Sequence, residues 1–425
     1  MTNIKNKRNL YMEKTYEIKE EEEKVILVGV CTNSNDDTME SLHELKDLVK
    51  TAGATALEIV VQNRESIHPG TYIGKGKIEE LREMIEELGA TGIVCDDELS
   101  PAQLKNLEDE LDTKVMDRTL VILDIFADRA KTSEGKIQVE LAQLKYRSAR
   151  LVGLRSSLSR LGGGIGTRGP GEKKLEMDRR LIKERIAQLK REIQDMKSHR
   201  ELARVQRSKN PCSVVAIVGY TNAGKSTLLN KLTGAGVLEE DKLFATLDPT
   251  TRNYKLPSGQ QVMFTDTVGF IRKLPHHLID AFRSTLEEAK YADILIHVVD
   301  ASNPQMDSHM HIVYETLANL GVEDKKIITL FNKQDKLEEK PVLRDFKADY
   351  TIDTSIKFDK GLTELIDRIE DILRDQKIYF QKTFGYNEAG NIQLIRKYGE
   401  LLTEEYRGEG IYVEAYVPLE IYSKL

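Results

Sequence analysis

The chain has 425 residues, enough for about three domains of ordinary size and a large buried core. Its formal net charge is −7, so the composition as a whole does not indicate a nucleic-acid-binding protein, and no apolar run approaches the roughly 20 residues of a membrane helix. The three cysteines, Cys31, Cys95 and Cys212, lie far apart in apolar stretches, which favours reduced thiols over a disulfide or a metal site. We expect a soluble cytoplasmic protein without a signal peptide.

The N-terminal part, after a polar tail at residues 1–24, alternates between strand and helix patterns. The predicted strands are Val25–Val30, Ala56–Val61, Gly92–Cys95 and Lys114–Met116. The predicted helices are Glu40–Thr51, Gly76–Leu88 and Ser100–Asp112. This alternation predicts a small parallel α/β domain at residues 25–130.

Residues 131–209 have the pattern of an antiparallel helical hairpin. Leucine and isoleucine recur at intervals of three, four and seven from Ile137 to Leu161, and again from Ile182 to Met196. The glycine-rich run Gly162–Gly171 between them cannot hold a helix, so we expect it to form a mobile loop at the tip.

The same tip is basic within an acidic protein. No acidic residue occurs from Leu144 to Gly171, and a surface of one sign favours a polyanion such as RNA; a solvated face is the alternative. The candidate RNA contacts are Arg147, Arg150, Arg155, Arg160, Gly163, Gly164 and Arg168.

A phosphate-binding P-loop follows the apolar run Val214–Val218. Its glycines let backbone N–H groups and the N-terminus of the next helix point at phosphate oxygens, while Lys225 reaches the β- and γ-phosphates and Ser226 faces Mg²⁺. The candidate nucleotide-binding residues here are Gly219, Tyr220, Thr221, Asn222, Ala223, Gly224, Lys225, Ser226 and Thr227. This loop places a nucleotide-binding G domain at residues 210–375.

Switch I should occupy residues 234–253. One threonine in it must bring its hydroxyl to Mg²⁺, and Thr246, Thr250 and Thr251 are all candidates. Further candidate nucleotide contacts in this segment are Phe244, Ala245, Leu247 and Asp248.

Three more motifs identify the base as guanine. Asp266, with Thr267, Val268 and Gly269 after it, can hold Mg²⁺ through water and sense the γ-phosphate. The run Asn332, Lys333, Gln334 and Asp335 ends an apolar strand, and its aspartate can accept guanine N–H groups that adenine lacks. Thr354, Ser355 and Ile356 would form the loop that contacts guanine O6.

Position 270 holds phenylalanine, where Ras-like GTPases have a water-orienting glutamine. A phenyl ring cannot hydrogen-bond to water, so we expect slow intrinsic hydrolysis and assign no catalytic residue.

The pattern of residues 376–425 predicts a small α+β module, with strands at Tyr379–Gln381 and Ile411–Val417 around a helix at Ile392–Leu402. The fold class is therefore a multidomain α/β protein.

With these motifs in view, the chain resembles the HflX family of translational GTPases over nearly its whole length. The resemblance rests on the runs Gly219–Thr227, Phe244–Thr250, Asp266–Phe270 and Gly162–Glu172. It implies that the N-terminal region and its hairpin bind the large ribosomal subunit and its rRNA near the peptidyl-transferase centre. It also implies that the GTP form splits stalled ribosomes, that Thr246 is the Mg²⁺ ligand, and that Asn222 helps to hold K⁺ unless it bonds only within its own loop.

Two other functions remain open on the sequence alone. One is a GTPase of ribosomal-subunit maturation, as in the Era or Obg groups. The other is a GTP-gated RNA-binding protein whose hydrolysis is incidental. We expect GTP and GDP as ligands and a monomer, because no long parallel coiled coil is visible in the sequence.

Overall fold

The computed structural model describes residues 22–32, 37–161, 170–207, 212–234, 243–244, 247, 249–274, 288–339 and 341–425. Three α/β units and one pair of long helices follow one another along the chain, which confirms the multidomain α/β architecture expected from the sequence. Among these residues no helix is both long enough and apolar enough to cross a membrane.

The N-terminal domain is built on a four-stranded parallel sheet with strand order β2-β1-β3-β4. Its strands are β1 (Lys24–Cys31), β2 (Thr55–Asn63), β3 (Gly92–Cys95) and β4 (Lys114–Asp117). Its helices are α1 (Thr38–Thr51), α2 (Lys75–Leu88), α3 (Pro101–Leu111) and α4 (Arg118–Arg129). Alternate residues of β1 belong to two different apolar clusters, because helices cover both faces of the sheet.

Helix α4 was not predicted from the sequence. It begins after Asp117, whose side chain accepts a hydrogen bond of 2.9 Å from the backbone N–H of Leu120 and so caps the helix. Most of its first eight residues are buried, and its apolar residues run consecutively from Leu120 to Leu123, a pattern that a buried strand shares.

The helical hairpin consists of α5 (Ser133–Leu161) and α6 (Pro170–Arg207). Two ion pairs join the helices, Arg185 to Glu140 at 2.7 Å and Arg200 to Glu134 at 2.9 Å. Residues 162–169 of the expected tip lie outside the described residues. Residues 170 and 171, which we expected in the loop, begin α6 instead, because proline suits the first position of a helix.

The G domain has a six-stranded sheet of order β10-β9-β8-β5-β7-β6, in which only β6 runs antiparallel to its neighbour. Its strands are β5 (Ser213–Gly219), β6 (Thr250–Lys255), β7 (Gln261–Asp266), β8 (Ile294–Asp300), β9 (Lys326–Asn332) and β10 (Tyr350–Asp353). The helices are α7 (Lys225–Thr233), α8 (Met306–Asn319) and α9 (Leu362–Asp375). The switch I prediction was therefore too long, since its last residues form β6.

One apolar cluster crosses the boundary between these two domains. It contains Leu45 and Phe126 from the N-terminal domain together with Phe244, Phe270 and Val313 from the G domain. The N-terminal and G domains thus share a continuous core.

The C-terminal module is a three-stranded antiparallel sheet of order β11-β13-β12. Its elements are β11 (Ile378–Phe384), α10 (Ala389–Tyr398), β12 (Glu400–Arg407), β13 (Gly410–Val417) and α11 (Leu419–Tyr422). The predicted helix extended too far, because Gly399 ends it and β12 starts at the next residue. A side chain at Gly399 would lie 2.6 Å from the carbonyl oxygen of Tyr416, so only glycine allows this close turn.

Candidate functional site

The P-loop connects the end of β5 to the start of α7 at the carboxyl edge of the G-domain sheet. Gly219 and Gly224 have positive φ angles of 152° and 107°. A Cβ at Gly219 would lie 2.2 Å from the carbonyl oxygen of Val298, and one at Gly224 would lie 2.4 Å from Nδ2 of Asn332. Both positions therefore require glycine, and the loop they shape exposes backbone N–H groups beside a helix N-terminus, an arrangement that binds phosphate.

Lys225 is the buried cation of this loop. Only 6% of the residue is exposed, and its Nζ donates a 2.7 Å hydrogen bond to the carbonyl oxygen of Tyr220. Burial lowers the pKa of Lys225 to about 8. Gly269 lies so close that a Cβ there would stand 2.9 Å from the same Nζ. A phosphate held by Lys225 is consequently in reach of the backbone of switch II, the segment that begins at Asp266.

The side chains present fit a magnesium ion. The hydroxyl of Ser226 donates a 2.8 Å hydrogen bond to Oδ2 of Asp266, so a hydroxyl and a carboxylate stand side by side next to the phosphate loop. Mg²⁺ prefers such hard oxygen ligands and keeps several waters, which suits Ser226 as a direct ligand and Asp266 as an outer one. The ion supplies charge neutralisation at the phosphates when it is bound.

The structure narrows the choice among the switch I threonines. Thr250 and Thr251 both belong to β6, and Oγ1 of Thr251 lies 2.9 Å from Oγ1 of Thr265 on the neighbouring strand. The sheet therefore holds both residues, while Thr246, with Ala245 and Asp248, lies outside the described residues. Phe244 and Leu247 are buried, at 3% and 2% exposure.

Asn332 ties the guanine motif to the P-loop. Its Nδ2 donates to the carbonyl oxygen of Ala223 at 2.9 Å, and its Oδ1 accepts the N–H of Ile356 at 3.0 Å. Both ends of the amide are thus engaged within the protein. Asn332 therefore joins its own loop to the P-loop and to the loop at Ile356, next to the expected position of the base.

Asp335 is the exposed carboxylate of that motif. The hydroxyl of Ser355 donates a hydrogen bond to Asp335, and this bond lowers the pKa of the carboxyl below its usual range. Thr354 and Ser355 are buried, and the carbonyl oxygen of Thr354 accepts the N–H of Gln334 at 3.2 Å. An ionised, oriented carboxylate is what recognition of guanine N–H groups requires.

Lys333 forms an ion pair of 2.7 Å with Asp300 at the end of β8. Sequence reasoning did not single out Asp300. Its position was the available clue, because the carboxyl ends of neighbouring parallel strands meet at the ligand-binding edge of a sheet.

Phe270 faces the core and not the nucleotide. Its backbone bridges to the P-loop, since the N–H of Thr221 donates to the oxygen of Phe270 at 2.8 Å and the N–H of Phe270 donates to Gly219 at 3.1 Å. The ring is 2% exposed and packs with Val268 and Ile271 in the shared apolar core. The backbone of Phe270 therefore holds the start of switch II against the P-loop. Its ring cannot form a hydrogen bond with the attacking water.

Tyr220 joins the P-loop to the N-terminal domain, a contact that the sequence did not indicate. Its hydroxyl donates a hydrogen bond to Glu44 in α1 and accepts the backbone N–H of Arg272 at 2.8 Å. Its ring stacks on His309, with ring centroids 3.7 Å apart and planes 4° from parallel. Burial raises the pKa of the Tyr220 hydroxyl, which stays protonated and able to donate.

Switch II continues directly into an acidic face of the N-terminal domain. Lys273 forms ion pairs with Asp96 at 2.5 Å and with Asp97 at 2.7 Å, and Arg272 pairs with Asp37. These charges lie far apart in the sequence, so no local pattern could have predicted them.

Arg118 forms the buried centre of the same junction. Its guanidinium is 2.6 Å from Glu44 and 3.1 Å from Asp96, and it donates to the backbone oxygen of Arg272 at 3.3 Å. Although burial alone raises the pKa of Asp96, the cations Arg118 and Lys273 bring it below the ordinary value. The carboxylate therefore remains charged at the interface.

Switch I reaches the same domain. The ring of Phe244 packs edge-on against Phe126 of α4, with centroids 4.6 Å apart and an interplanar angle of 75°. Parts of the P-loop, switch I and switch II thus all contact the domain that carries the hairpin.

One candidate RNA contact has a different environment from the one expected. Arg150 is paired with the buried Asp117 at 2.6 Å, and its guanidinium lies 3.1 Å from the ring centroid of Tyr146. Its side chain is 13% exposed, so we remove Arg150 from the candidate RNA surface. Arg147 is exposed on α5. The side chains of Arg155 and Arg160, together with Gly163, Gly164 and Arg168, lie outside the described residues.

Comparison with known proteins agrees with these features. Residues 39–127 match the family model described as GTP-binding GTPase N-terminal, and residues 129–207 match GTP-binding GTPase Middle Region. Residues 214–333 match the model described as 50S ribosome-binding GTPase. Two of the three models therefore lie outside the G domain.

Curated relatives match over nearly the full length. GTPase HflX of Lacrimispora saccharolytica is 68% identical over 414 residues, covering 97% of this chain and 98% of the relative. GTPase HflX of Caldanaerobacter subterraneus is 49% identical over 409 residues, covering 96% of this chain and 94% of the relative.

More distant proteins match as well. GTPase HflX of Escherichia coli is 44% identical over 75% of this chain and 74% of the relative. A solved structure of a GTP-binding protein from Sulfolobus solfataricus in complex with GDP has a TM-score of 0.43 and 26% identity, covering 82% of this chain and 98% of that one. With a complete P-loop site and curated relatives of this identity and coverage, the chain belongs to the HflX family of GTPases.

Proposed function

We propose that this GTPase binds the large ribosomal subunit and that its GTP form splits stalled or vacant ribosomes into subunits, after which hydrolysis resets it. The observation that carries the proposal is the junction of Tyr220, Arg272 and Lys273 with the N-terminal domain. Support also comes from the relatives named GTPase HflX and from the matching family described as 50S ribosome-binding GTPase.

The first step of the mechanism is detection of the third phosphate. A γ-phosphate held by Lys225 meets the backbone of Gly269, because Gly269 lies within van der Waals contact of Lys225 and Thr221 with no space for a side chain. The N–H of such a glycine is the group that senses γ-phosphate in GTPases with ordered switches. GTP and GDP therefore differ in how they hold Gly269.

The second step carries that difference out of the nucleotide site. Arg272 and Lys273 follow Gly269 within four residues and are bound to Asp37, Asp96 and Asp97. Any movement of switch II must move the N-terminal domain with it or break these ion pairs. Asp96 and Arg272 are the buried members of these pairs, so separating them from their partners is costly and the pairs favour joint movement.

The third step moves the helical arm. Helix α5 is bound to the N-terminal domain through Asp117, which accepts the hydroxyl of Tyr146 at 2.7 Å and pairs with Arg150. Since Asp117 also caps α4, domain and arm form one connected unit. We propose that this unit presents the basic tip to rRNA through residues Arg147, Arg155, Arg160, Gly163, Gly164 and Arg168.

Two metal roles belong to the same proposal. Ser226 and Thr246 would bind Mg²⁺, and Asn222 would help to hold K⁺ beside the phosphates. A K⁺ ion there would supply positive charge that other GTPases obtain from an arginine. Replacing K⁺ by Na⁺ should then slow hydrolysis without weakening GDP binding.

The test is sedimentation of purified vacant ribosomes with the full-length protein and GDP, GTP or a non-hydrolysable GTP analogue. We expect the analogue form to travel with large subunits and to deplete intact ribosomes, and GDP to do neither. The matched control is Lys225→Ala, which cannot hold the phosphates and should leave ribosomes intact with every nucleotide.

Other outcomes distinguish the competing functions. Binding to precursor subunits but not to assembled ribosomes would favour a role in subunit maturation. If the protein splits ribosomes through repeated rounds as fully with the non-hydrolysable analogue as with GTP, a GTP-gated RNA-binding protein with incidental hydrolysis would be favoured. Absence of cofractionation in every nucleotide state would refute ribosome binding altogether.

A further inference from the structure

A second feature of the G domain, away from the hairpin, has the properties of a binding site. The segment 341–349 connects the guanine-binding loop to β10. Phe346 in this segment is 94% exposed. An aromatic ring left almost entirely in water forgoes the free energy of burial, so an exposed ring on a well-held backbone points to a partner.

The backbone beneath Phe346 is firmly held. The adjacent Asp345 is 8% exposed, and its Oδ2 accepts the hydroxyls of Thr329 at 2.7 Å and of Tyr314 at 2.5 Å. Its Oδ1 accepts the N–H of Lys347 at 3.0 Å, and its carbonyl oxygen accepts the N–H of Ala348 at 3.4 Å. These bonds define a β-turn that begins at Asp345.

Phe346 is therefore the second residue of this turn. The far side of the turn is anchored as well, because Asp349 exchanges backbone and side-chain hydrogen bonds with Ile327 at 2.8 and 2.9 Å and pairs with Lys326 at 2.7 Å. The backbone that carries the ring therefore loses little freedom on binding, which is one way in which preorganised contacts gain affinity.

The charges of the segment indicate the partner. In the segment 341–349 the exposed cations are Arg344 and Lys347; of its two carboxylates, Asp345 is buried and Asp349 is paired with Lys326 at 2.7 Å. An exposed aromatic ring between cations complements a ligand that combines flat apolar faces with negative charge. Unpaired RNA has that combination, since its bases stack on aromatic rings and its phosphates attract arginine and lysine.

We propose that Phe346 stacks on an unpaired base of RNA, with Arg344 and Lys347 at the neighbouring phosphates. The inference rests on the proposed function, because it adds a second RNA contact, made by the G domain, to the one made by the hairpin. An apolar pocket on a protein is the competing partner for the same ring.

The test measures the affinity of the full-length protein for purified large subunits with the non-hydrolysable GTP analogue. We expect Phe346→Ala and Phe346→Leu each to weaken binding about tenfold, because neither side chain stacks, and Phe346→Trp to bind at least as tightly as the original. Arg344→Gln should reduce the dependence of binding on salt. Val342→Ser is the matched control and should leave the affinity unchanged.

These variants separate the alternatives. Since Phe346 packs against almost nothing, their unfolding temperatures and GDP affinities should equal those of the original protein. If Phe346→Leu binds normally while Phe346→Trp binds weakly, the ring enters an apolar protein pocket and the RNA contact is wrong. If Phe346→Ala binds as the original does, the inference fails while the proposed function stands; if the original protein does not bind large subunits, both fail.

Discussion

The hydroxyl of Tyr220, in the phosphate loop, donates a hydrogen bond to the carboxylate of Glu44, in the first helix of the N-terminal domain. The same oxygen accepts the backbone N–H of Arg272 from switch II. One phenol therefore connects the nucleotide site, its moving segment and the domain that carries the helical arm.

Replacing Tyr220 by phenylalanine should loosen this junction. The change leaves the N–H of Arg272 and the carboxylate of Glu44 without their shared partner, which should lower the free energy of unfolding by about 1–3 kcal/mol. We expect faster amide hydrogen exchange in residues 37–44 and 270–273 together. Tyr254→Phe, in β6, is the control. If residues 37–44 and 270–273 are equally protected from exchange in the Tyr220 and Tyr254 variants, the hydroxyl of Tyr220 does not couple the domains.

Replacing Phe270 by glutamine should not create a Ras-like catalytic residue. The ring is 2% exposed and points into the core shared by the two domains, so a glutamine there would bury its amide away from the nucleotide. We expect a loss of about 2–4 kcal/mol in the free energy of unfolding and no increase in single-turnover GTP hydrolysis. Phe270→Leu controls for the packing, and faster hydrolysis in the glutamine variant would contradict the burial argument.

Binding of GDP should be accompanied by proton uptake at alkaline pH. Burial lowers the pKa of Lys225 from 10.5 to about 8, so Lys225 is largely neutral at about pH 9 in the free protein, and a nearby phosphate restores its charge. We expect uptake of about one proton per GDP at about pH 9 and little at about pH 6.5, measured by titration calorimetry in buffers of different ionisation enthalpy.

The same pKa has a consequence for stability. Because folding lowers the pKa of Lys225, the unfolded chain binds more protons between about 8 and 10.5, and the stability of the nucleotide-free protein rises with pH across that window. Lys377, whose pKa burial also lowers to about 8, contributes in the same direction. Lys377→Gln should therefore alter the stability profile and leave the GDP-linked uptake intact. Equal uptake at both pH values would exclude Lys225 as its source.

Replacing Asp335 by asparagine should move base preference from guanine to xanthine. The amide cannot accept both guanine N–H groups, and its own N–H₂ suits the extra carbonyl of xanthine. We expect GDP affinity to fall about 100-fold or more while XDP affinity rises, as measured with fluorescent nucleotides. Ser355→Ala should cause a smaller loss, because Ser355 only orients the carboxylate. Retention of guanine selectivity by the asparagine variant would refute the assigned readout.

Features encoded by contiguous residues were predictable. The phosphate loop, the strand preceding Asp266 and the parallel N-terminal sheet follow from local patterns, and the multidomain α/β class is confirmed. Helix α4 was missed because its apolar residues run consecutively from Leu120 to Leu123, a pattern that a buried strand shares. Strand β12 was missed because helix propensity continues past Gly399, where contact with the neighbouring sheet requires the chain to turn.

The role of Arg150 shows that contacts between residues distant in the sequence could not be predicted. Its position in a stretch without acids indicated an exposed cation that could contact RNA, yet Asp117, 33 residues earlier, pairs with it in the fold. The junction of Lys273 with Asp96 spans 177 residues and has no local pattern at all. A run of like charges in the sequence therefore predicts a charged surface only where the fold brings no residue of opposite charge, distant in the sequence, into contact with it.

The core shared by Phe126, Phe244 and Phe270 determines which fragments of the protein can fold on their own. A truncated chain that began near residue 210 would carry a complete phosphate loop but would leave two switch-region rings facing water. Such a fragment should self-associate, and rates measured on it would describe an aggregate. Heat should melt the N-terminal and G domains in one cooperative transition, with the C-terminal module, which has its own apolar cluster, free to melt separately.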